Sequence, residues 1–369
     1  MKVKNIFSIF CFLFSSLVLS QDNTTRLSDV PYTFKPEKLQ AIHNSFQFIR
    51  SYVDYFYLLS KENKTQFFAI SPLWNTNAWC VGDAHAENFG ILIQEDASPI
   101  FTHNDFDDSA PCPAILDLFR FMTSSKLYDQ NISHESILES YKEGLQGKTR
   151  EMPSSIKKMM KKSLKKGLSP NSSEVIENRI VRQSQMSEID SITGTQIKNI
   201  IKEPIWDMVK TSKITGGSGG LERYLILISS DKGPILLELK EQTSPAIYPV
   251  TPNEIPTTDI RIKQTISYVQ GAMASHYYKV VKINDKWMLL RPRFGGNITI
   301  ELATRSRNKN DDIIYYEAYK LGMIHALSLA TPQTWSDTLE DIDMYLLGND
   351  LQMMTNKFND KFDELKNPR

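Results

Sequence analysis

Trp79–Gly90 and Phe101–Asp108 contain the side chains best suited to chemistry. The first segment reads Trp79-Cys-Val-Gly-Asp83-Ala-His85-Ala-Glu-Asn88-Phe-Gly90, and the second Phe101-Thr-His-Asn-Asp105-Phe-Asp107-Asp108. An acidic residue, an Asn five positions later, a strand-turn-strand and a second acidic cluster form the layout of a phosphoryl-transfer catalytic loop. In that layout Asp83 orients or deprotonates the attacking hydroxyl. Asn88, Asp105 and Asp107 supply the hard oxygens that hold Mg²⁺. His85 takes a supporting catalytic role; the blander reading of a His inside a tight loop is a structural hydrogen-bonder.

These residues need elements to position them. Phe89 to Ile93 and Ile100 to His103 read as two short strands around the turn Glu95–Pro99, which returns Asp105 to Asn88. Further on, Lys213-Ile-Thr is followed by Gly216-Gly217-Ser218-Gly219-Gly220 and then by a strand that ends at Lys240. A glycine-rich turn can aim backbone N–H groups at phosphates, and a strand lysine can neutralise their charge. By itself such a run is also an ordinary flexible turn. A helix over Asp259–Gln270 is expected next. It carries Gln264 where a lysine-pairing carboxylate would serve, leaving Glu238, Glu241 and Glu254 as alternative partners for Lys240.

The sequences GDAHAENFG, NDFDD and Pro113-Ala-Ile-Leu-Asp117-Leu-Phe-Arg120 resemble the domain-of-unknown-function 2252 family of bacterial proteins. The loop of that family is similar in turn to aminoglycoside-phosphotransferase and other kinase-like enzymes. Phe46-Gln-Phe48-Ile-Arg50 extends the resemblance upstream, with Ser51 where the family has Gly, and Thr215 stands where its first loop Gly is expected. The resemblance implies an α+β, protein-kinase-like two-lobed fold, with ATP or another nucleotide and Mg²⁺ as cofactors. The catalytic loop precedes the Gly-rich small lobe, so the fold is expected to be circularly permuted. The expected organisation is a signal peptide at 1–20, a helix-rich catalytic-loop lobe at 21–212, a small β-rich nucleotide-binding lobe at 213–295, and C-terminal helices at 296–369 that return to the large lobe. Glu37–Lys61 would be the helix before the loop. Asp117 would brace the loop from behind with Arg120 as its partner. Arg291 and Arg293 are open to two readings, phosphate or substrate binding and surface ion pairing.

Composition narrows the class. With 43 Lys and Arg against 43 Asp and Glu, the chain lacks the basic excess of a general nucleic-acid binder. Lys2 and Lys4 before the apolar run Ile6–Leu19 read as a secretory leader, which gives a secreted or periplasmic address. Cys80 and Cys112 then remain, either as a disulfide clamping the site or as two buried thiols. Residues 148–166 read as a basic amphipathic helix, either a weak membrane-surface contact or a solvated face. Residues 356–369 read as a fraying polar helix. The acceptor, a small molecule or a protein, has no signature. A kinase-like binding protein of weak activity and a metallophosphoesterase are the other functional readings.

Overall fold

The computed structural model describes residues 32–213, 219–251 and 253–367. The expected leader, and Gly216, Gly217 and Ser218 of the glycine loop, lie outside the described residues.

The fold is mixed α+β. Its main core is helical and is built around Ala114–Tyr128, which is buried continuously from Ala114 to Ser125. Its first half, Ala114–Met122, is apolar apart from Asp117 and Arg120, as befits a helix in the interior, which needs no solvent-facing polar side. Phe48, Phe56, Phe119, Phe121, Tyr141 and Phe358 pack into one cluster around it. The expected helix at 37–61 is instead three helices, Pro36–Gln40, Ser45–Ser51 and Val53–Glu62. Asn44 restarts the chain as an N-cap, its side chain accepting the Gln47 N–H at 2.8 Å, and Tyr52 leaves helical geometry at φ −122° and ψ 68°. The polar helix expected at 356–369 is the end of a longer one that packs on the core. The helix Met344–Lys366 buries Met354 and Phe358, and Phe358 meets Phe48, Tyr55 and Phe56. Met354, Phe358 and Phe362 recur at four-residue spacing, an apolar stripe within a polar composition.

The helices His134–Leu145 and Arg307–Ala326 cross at two glycines. A Cβ on Gly144 would lie 2.0 Å from the Tyr319 carbonyl oxygen, and one on Gly322 would lie 2.1 Å from that of Tyr141. Only the missing side chains allow this approach.

A five-stranded antiparallel sheet has the order Lys279–Ile283, Lys286–Pro292, Gly233–Glu241, Arg223–Ser230, Ile205–Thr211. It begins ahead of the expected boundary at 213, and the preceding helix Ser191–Ile200 packs Ile197 against its Tyr224, Ile226 and Leu237 face. Strand alternation puts Arg223, Leu225, Glu238, Lys240 and Arg291 on the other face, where Arg223 lies opposite Lys240 and Arg291 opposite Glu238. That face meets the acidic loop. Among the described residues, no helix is long and apolar enough to cross a membrane.

Glu317 is fully buried in Arg307–Ala326, and neither of its carboxylate oxygens has a hydrogen-bond partner among the described residues. Burial, helped by the charge of Glu87 and opposed by Arg305, lifts its pKa well above the ordinary glutamate value. With the folded pKa raised, the unfolded chain releases this proton first. Stability is therefore full below the unfolded pKa, and it falls as pH rises toward the folded value, by up to about 1.4 kcal/mol per pH unit. Glu317→Gln removes the loss, so its melting temperature should match wild type near pH 4 and exceed it increasingly toward pH 7. A constant offset across that range would contradict a buried neutral carboxyl.

Candidate active site

The loop that carries Asp83 starts from a clamped base. Asn77–Cys80 pairs antiparallel with Ala110–Pro113, and a Cys80–Cys112 disulfide crosses the pair. Beyond it the backbone N–H groups of Val81 and Gly82 donate to Asp117 at 2.7 and 3.1 Å. Asp117 is fully buried, and His325 Nε2 lies 3.1 Å from its second oxygen. The Tyr57 hydroxyl donates to the Gly82 carbonyl at 2.6 Å. Gly82 is required twice over: its φ is +80°, and a Cβ there would lie 1.9 Å from the Asp108 carbonyl oxygen. Glycine thus lets the two acidic segments touch.

Arg120 is not the partner of Asp117. Its fully buried guanidinium donates to Asp83 through Nε at 3.2 Å and through a closer terminal nitrogen, and also to the Ile49 carbonyl at 3.0 Å. Residues three apart share a helix face, so spacing alone would allow the pair; the Asp117 oxygens are instead taken by the Val81 and Gly82 N–H groups, and Arg120 turns to Asp83. Asn88 Nδ2 donates to the other Asp83 oxygen at 2.9 Å, which directs its own Oδ1 away from that carboxylate. His85 Nδ1 accepts the Glu87 N–H at 3.1 Å, leaving Nε2 3.5 Å from Asp83. Burial pushes the His85 pKa down to about 4, against the pull of Asp83, so the ring is neutral near pH 7. Burial would raise Asp83, but Arg120 and then His85 override it and hold the carboxyl well below the usual range. Such a carboxylate orients a hydroxyl well and takes its proton poorly.

The second cluster is assembled by the hairpin. Phe89–Ile93 pairs with Pro99–His103, Phe89 opposite His103, and the Asn104 N–H donates to the Asn88 carbonyl at 2.9 Å. Asp105 follows directly. Lys240, 1 % exposed, reaches over from the sheet and pairs with Asp105 at 3.0 Å and with Asp107 more closely. Gln242 Nε2 donates to the other Asp107 oxygen at 2.9 Å. Burial opposes ionisation of Asp105, but Lys240 and Arg291 prevail and keep its pKa well below the ordinary value. Asp108 moves the other way, up to about 7, through burial and the charges of Asp83 and Asp107. Arg261, fully buried on the helix Thr258–Gln270, grips this loop by its backbone, donating to the Asp107 and Ser109 carbonyls.

Asp83, His85 and Asn88 therefore form one cluster, and Asp105, Asp107 and Lys240 another beside it. Of the glycine loop, Gly220 at φ +89° donates its N–H to the Lys213 carbonyl at 2.8 Å, with Lys35 Nζ near it. The alternative partners proposed for Lys240 are engaged elsewhere: Glu238 holds Arg223 and Arg291, Glu241 holds Lys286, and Glu254 accepts from Asn77. The sequence reading passed over Arg261 and Gln242. Gln242 had a signal, lying two residues beyond Lys240 on the same strand face; Arg261 on its helix had none. Cys80, Asp117 and His325 also converge, but the Cys80 sulfur is spent in the disulfide and offers no thiolate for a metal.

The acidic residues of both clusters and their brace lie in one region of the chain, and that region has a family match. Residues 38–198 match DUF2252. The family is described as an uncharacterized protein conserved in bacteria. The DUF2252 match takes in Asp83, Asn88, Asp105, Asp107, Asp117 and Arg120 and ends before the sheet that contributes Lys240. No curated protein and no solved structure matches the chain.

Proposed function

We propose that the chain is a secreted, Mg²⁺-dependent phosphotransferase with a circularly permuted, kinase-like two-lobed fold. Its donor is a nucleotide or another phosphorylated compound, and its acceptor a small molecule or a protein. The observation that carries this reading is the meeting of Lys240 with Asp105 and Asp107. These residues lie far apart in sequence, and the sheet delivers the lysine to the acidic loop. An ammonium lodged between two carboxylates marks a place with strong affinity for cations. Asn88, Asp105 and Asp107 would supply the hard oxygen donors that Mg²⁺ takes. Bound there, Mg²⁺ would neutralise charge on the transferring phosphoryl group. Lys240 would then turn from the carboxylates to the donor phosphates. Asp83, fixed by Arg120 and Asn88, would hold the acceptor hydroxyl in line.

Two observations favour a second reading, a kinase-like protein that binds without turnover. Asp83 is held in a buried ion pair, and Lys240 has no carboxylate partner on the helix Thr258–Gln270. A two-metal phosphoesterase is weakly supported, because the His85 ring already serves its own loop. Calorimetry of the folded protein with phosphorylated donors, with and without Mg²⁺, tests both leading readings. Mg²⁺-dependent binding accompanied by donor consumption supports phosphotransfer. Binding without consumption supports the second reading, and no binding of any phosphorylated donor overturns both.

A further inference from the structure

Beside Lys240, on the same face of the sheet, lies a cavity of about 240 Å³. Its floor is Arg223, Leu225, Glu238 and Arg291, and the segment around Ile180 to Met186 covers it. Four cationic side chains, Lys213, Arg223, Arg291 and Arg293, line it against two carboxylates, Glu174 and Glu238. Glu238 is almost fully buried and accepts from Arg223 at 3.1 Å and from Arg291 at 2.7 Å, with Arg293 3.5 Å away. One carboxylate thus organises three guanidinium groups and leaves the cavity with an excess of positive charge. Arginine forks held by such a centre are preorganised for phosphate or carboxylate oxygens.

The cavity borders the acidic site, because Arg223 in its floor lies opposite Lys240 on the neighbouring strand. Arg291 donates to Glu238, and its charge also acts on Asp105 and Asp107. A run of cations therefore leads from Lys240 through Arg291 to Arg293 and Lys213. Ile180, Val181, Met186 and Leu225 give the cavity some apolar wall, but a nucleobase needs a mostly apolar pocket, and here an ion-paired Glu238 with its arginines takes up much of the floor. We infer that this cavity is an anion subsite for the distal part of the donor. The donor that fits it best is a condensed phosphate chain, with one end at Lys240 and the acidic loop and the remainder among Arg291, Arg293 and Lys213. The inference rests on the phosphotransfer reading and names the donor class for that site.

The test is calorimetric titration of Mg²⁺-tripolyphosphate, and separately of MgATP, into wild type, Arg293→Gln, Lys213→Gln and Asp105→Asn. Lys213 is exposed, so its substitution leaves the fold intact even if Arg293→Gln, which gives up the Glu174 pair, melts early. Tripolyphosphate should bind wild type at least tenfold more tightly than ATP does, and each cavity variant should weaken it by about fivefold or more. Tripolyphosphate binding that is lost in Asp105→Asn but unchanged in both cavity variants overturns the subsite and leaves the phosphotransfer reading standing. ATP binding with no tripolyphosphate binding does the same. Binding of neither compound overturns the subsite together with the reading beneath it.

Discussion

Asp105→Ala should abolish Mg²⁺-dependent donor binding and lower turnover by about a thousandfold or more, while Asp83→Asn should keep donor binding and lose about a hundredfold in kcat. The separation follows from what each carboxylate touches. Asp105 faces Lys240 at the junction of loop and sheet, where the donor's charge would be met. Asp83 faces Arg120, Asn88 and His85 on the helical side. On the phosphotransfer reading, losing Asp105 would remove a metal ligand and leave Lys240 paired with Asp107 alone, whereas Asp83→Asn would keep a similar shape and remove only the charge that orients the acceptor. Because Asp83→Asn leaves the buried Arg120 beside a neutral partner, a thermal melt accompanies the kinetics. With the fold intact, equal loss of donor binding in both variants would contradict the division of roles.

The acidic loop was legible in the sequence because its chemistry is local. Asp83 to Asn88 fits within one turn, and the strand pattern of Phe89–Ile93 with its polar turn at Glu95–Pro99 determines where Asp105 arrives. The helix after Lys240 and the burial of Asp117 were legible for the same reason, since periodicity and an apolar surround mark both. Nothing local determined which cation would pair with which carboxylate. Arg120 lies three residues from Asp117 yet turns to Asp83, and Arg261 grips the Asp107 backbone from a helix far away in sequence. Such pairings are set when elements pack, and backbone carbonyl acceptors leave no trace in side-chain identity. The helix breaks at Asn44 and Tyr52 were partly readable, because Asn is a strong N-cap. The buried end at Phe358 was obscured by the polar residues around it. The disulfide required the antiparallel pairing of Asn77–Cys80 with Ala110–Pro113, which brings Cys80 and Cys112 together from segments that are otherwise separated by the hairpin.

Asp117→Ala should cost about 3–5 kcal/mol of stability and lower the melting temperature by roughly 10 °C, making it the most damaging single truncation near the site. Asp117 is inaccessible to any ligand, so its whole effect is structural. Its two oxygens receive the Val81 and Gly82 N–H groups and face His325 Nε2, with Asp117 and His325 both fully buried. Alanine would leave those donors with no acceptor, and a stranded buried donor costs more than an intact hydrogen bond contributes. His325 is held on its far side by the Tyr141 hydroxyl at 2.7 Å, which also accepts from Trp335 Nε1 at 3.2 Å, so the ring cannot swing away to find a new partner. The damage should therefore spread in two directions: into the helix pair that carries Tyr141 and His325, and into the loop that presents Asp83. Asp117→Asn keeps one acceptor oxygen and should recover part of the stability while still disturbing the loop. Hydrogen exchange separates the two effects, since Val81 and Gly82 amides should exchange far faster in Asp117→Ala while amides of the distant sheet stay protected until global unfolding. A variant that melts like wild type, with those two amides still protected, would show that the loop is braced by the disulfide and the Tyr57 contact instead.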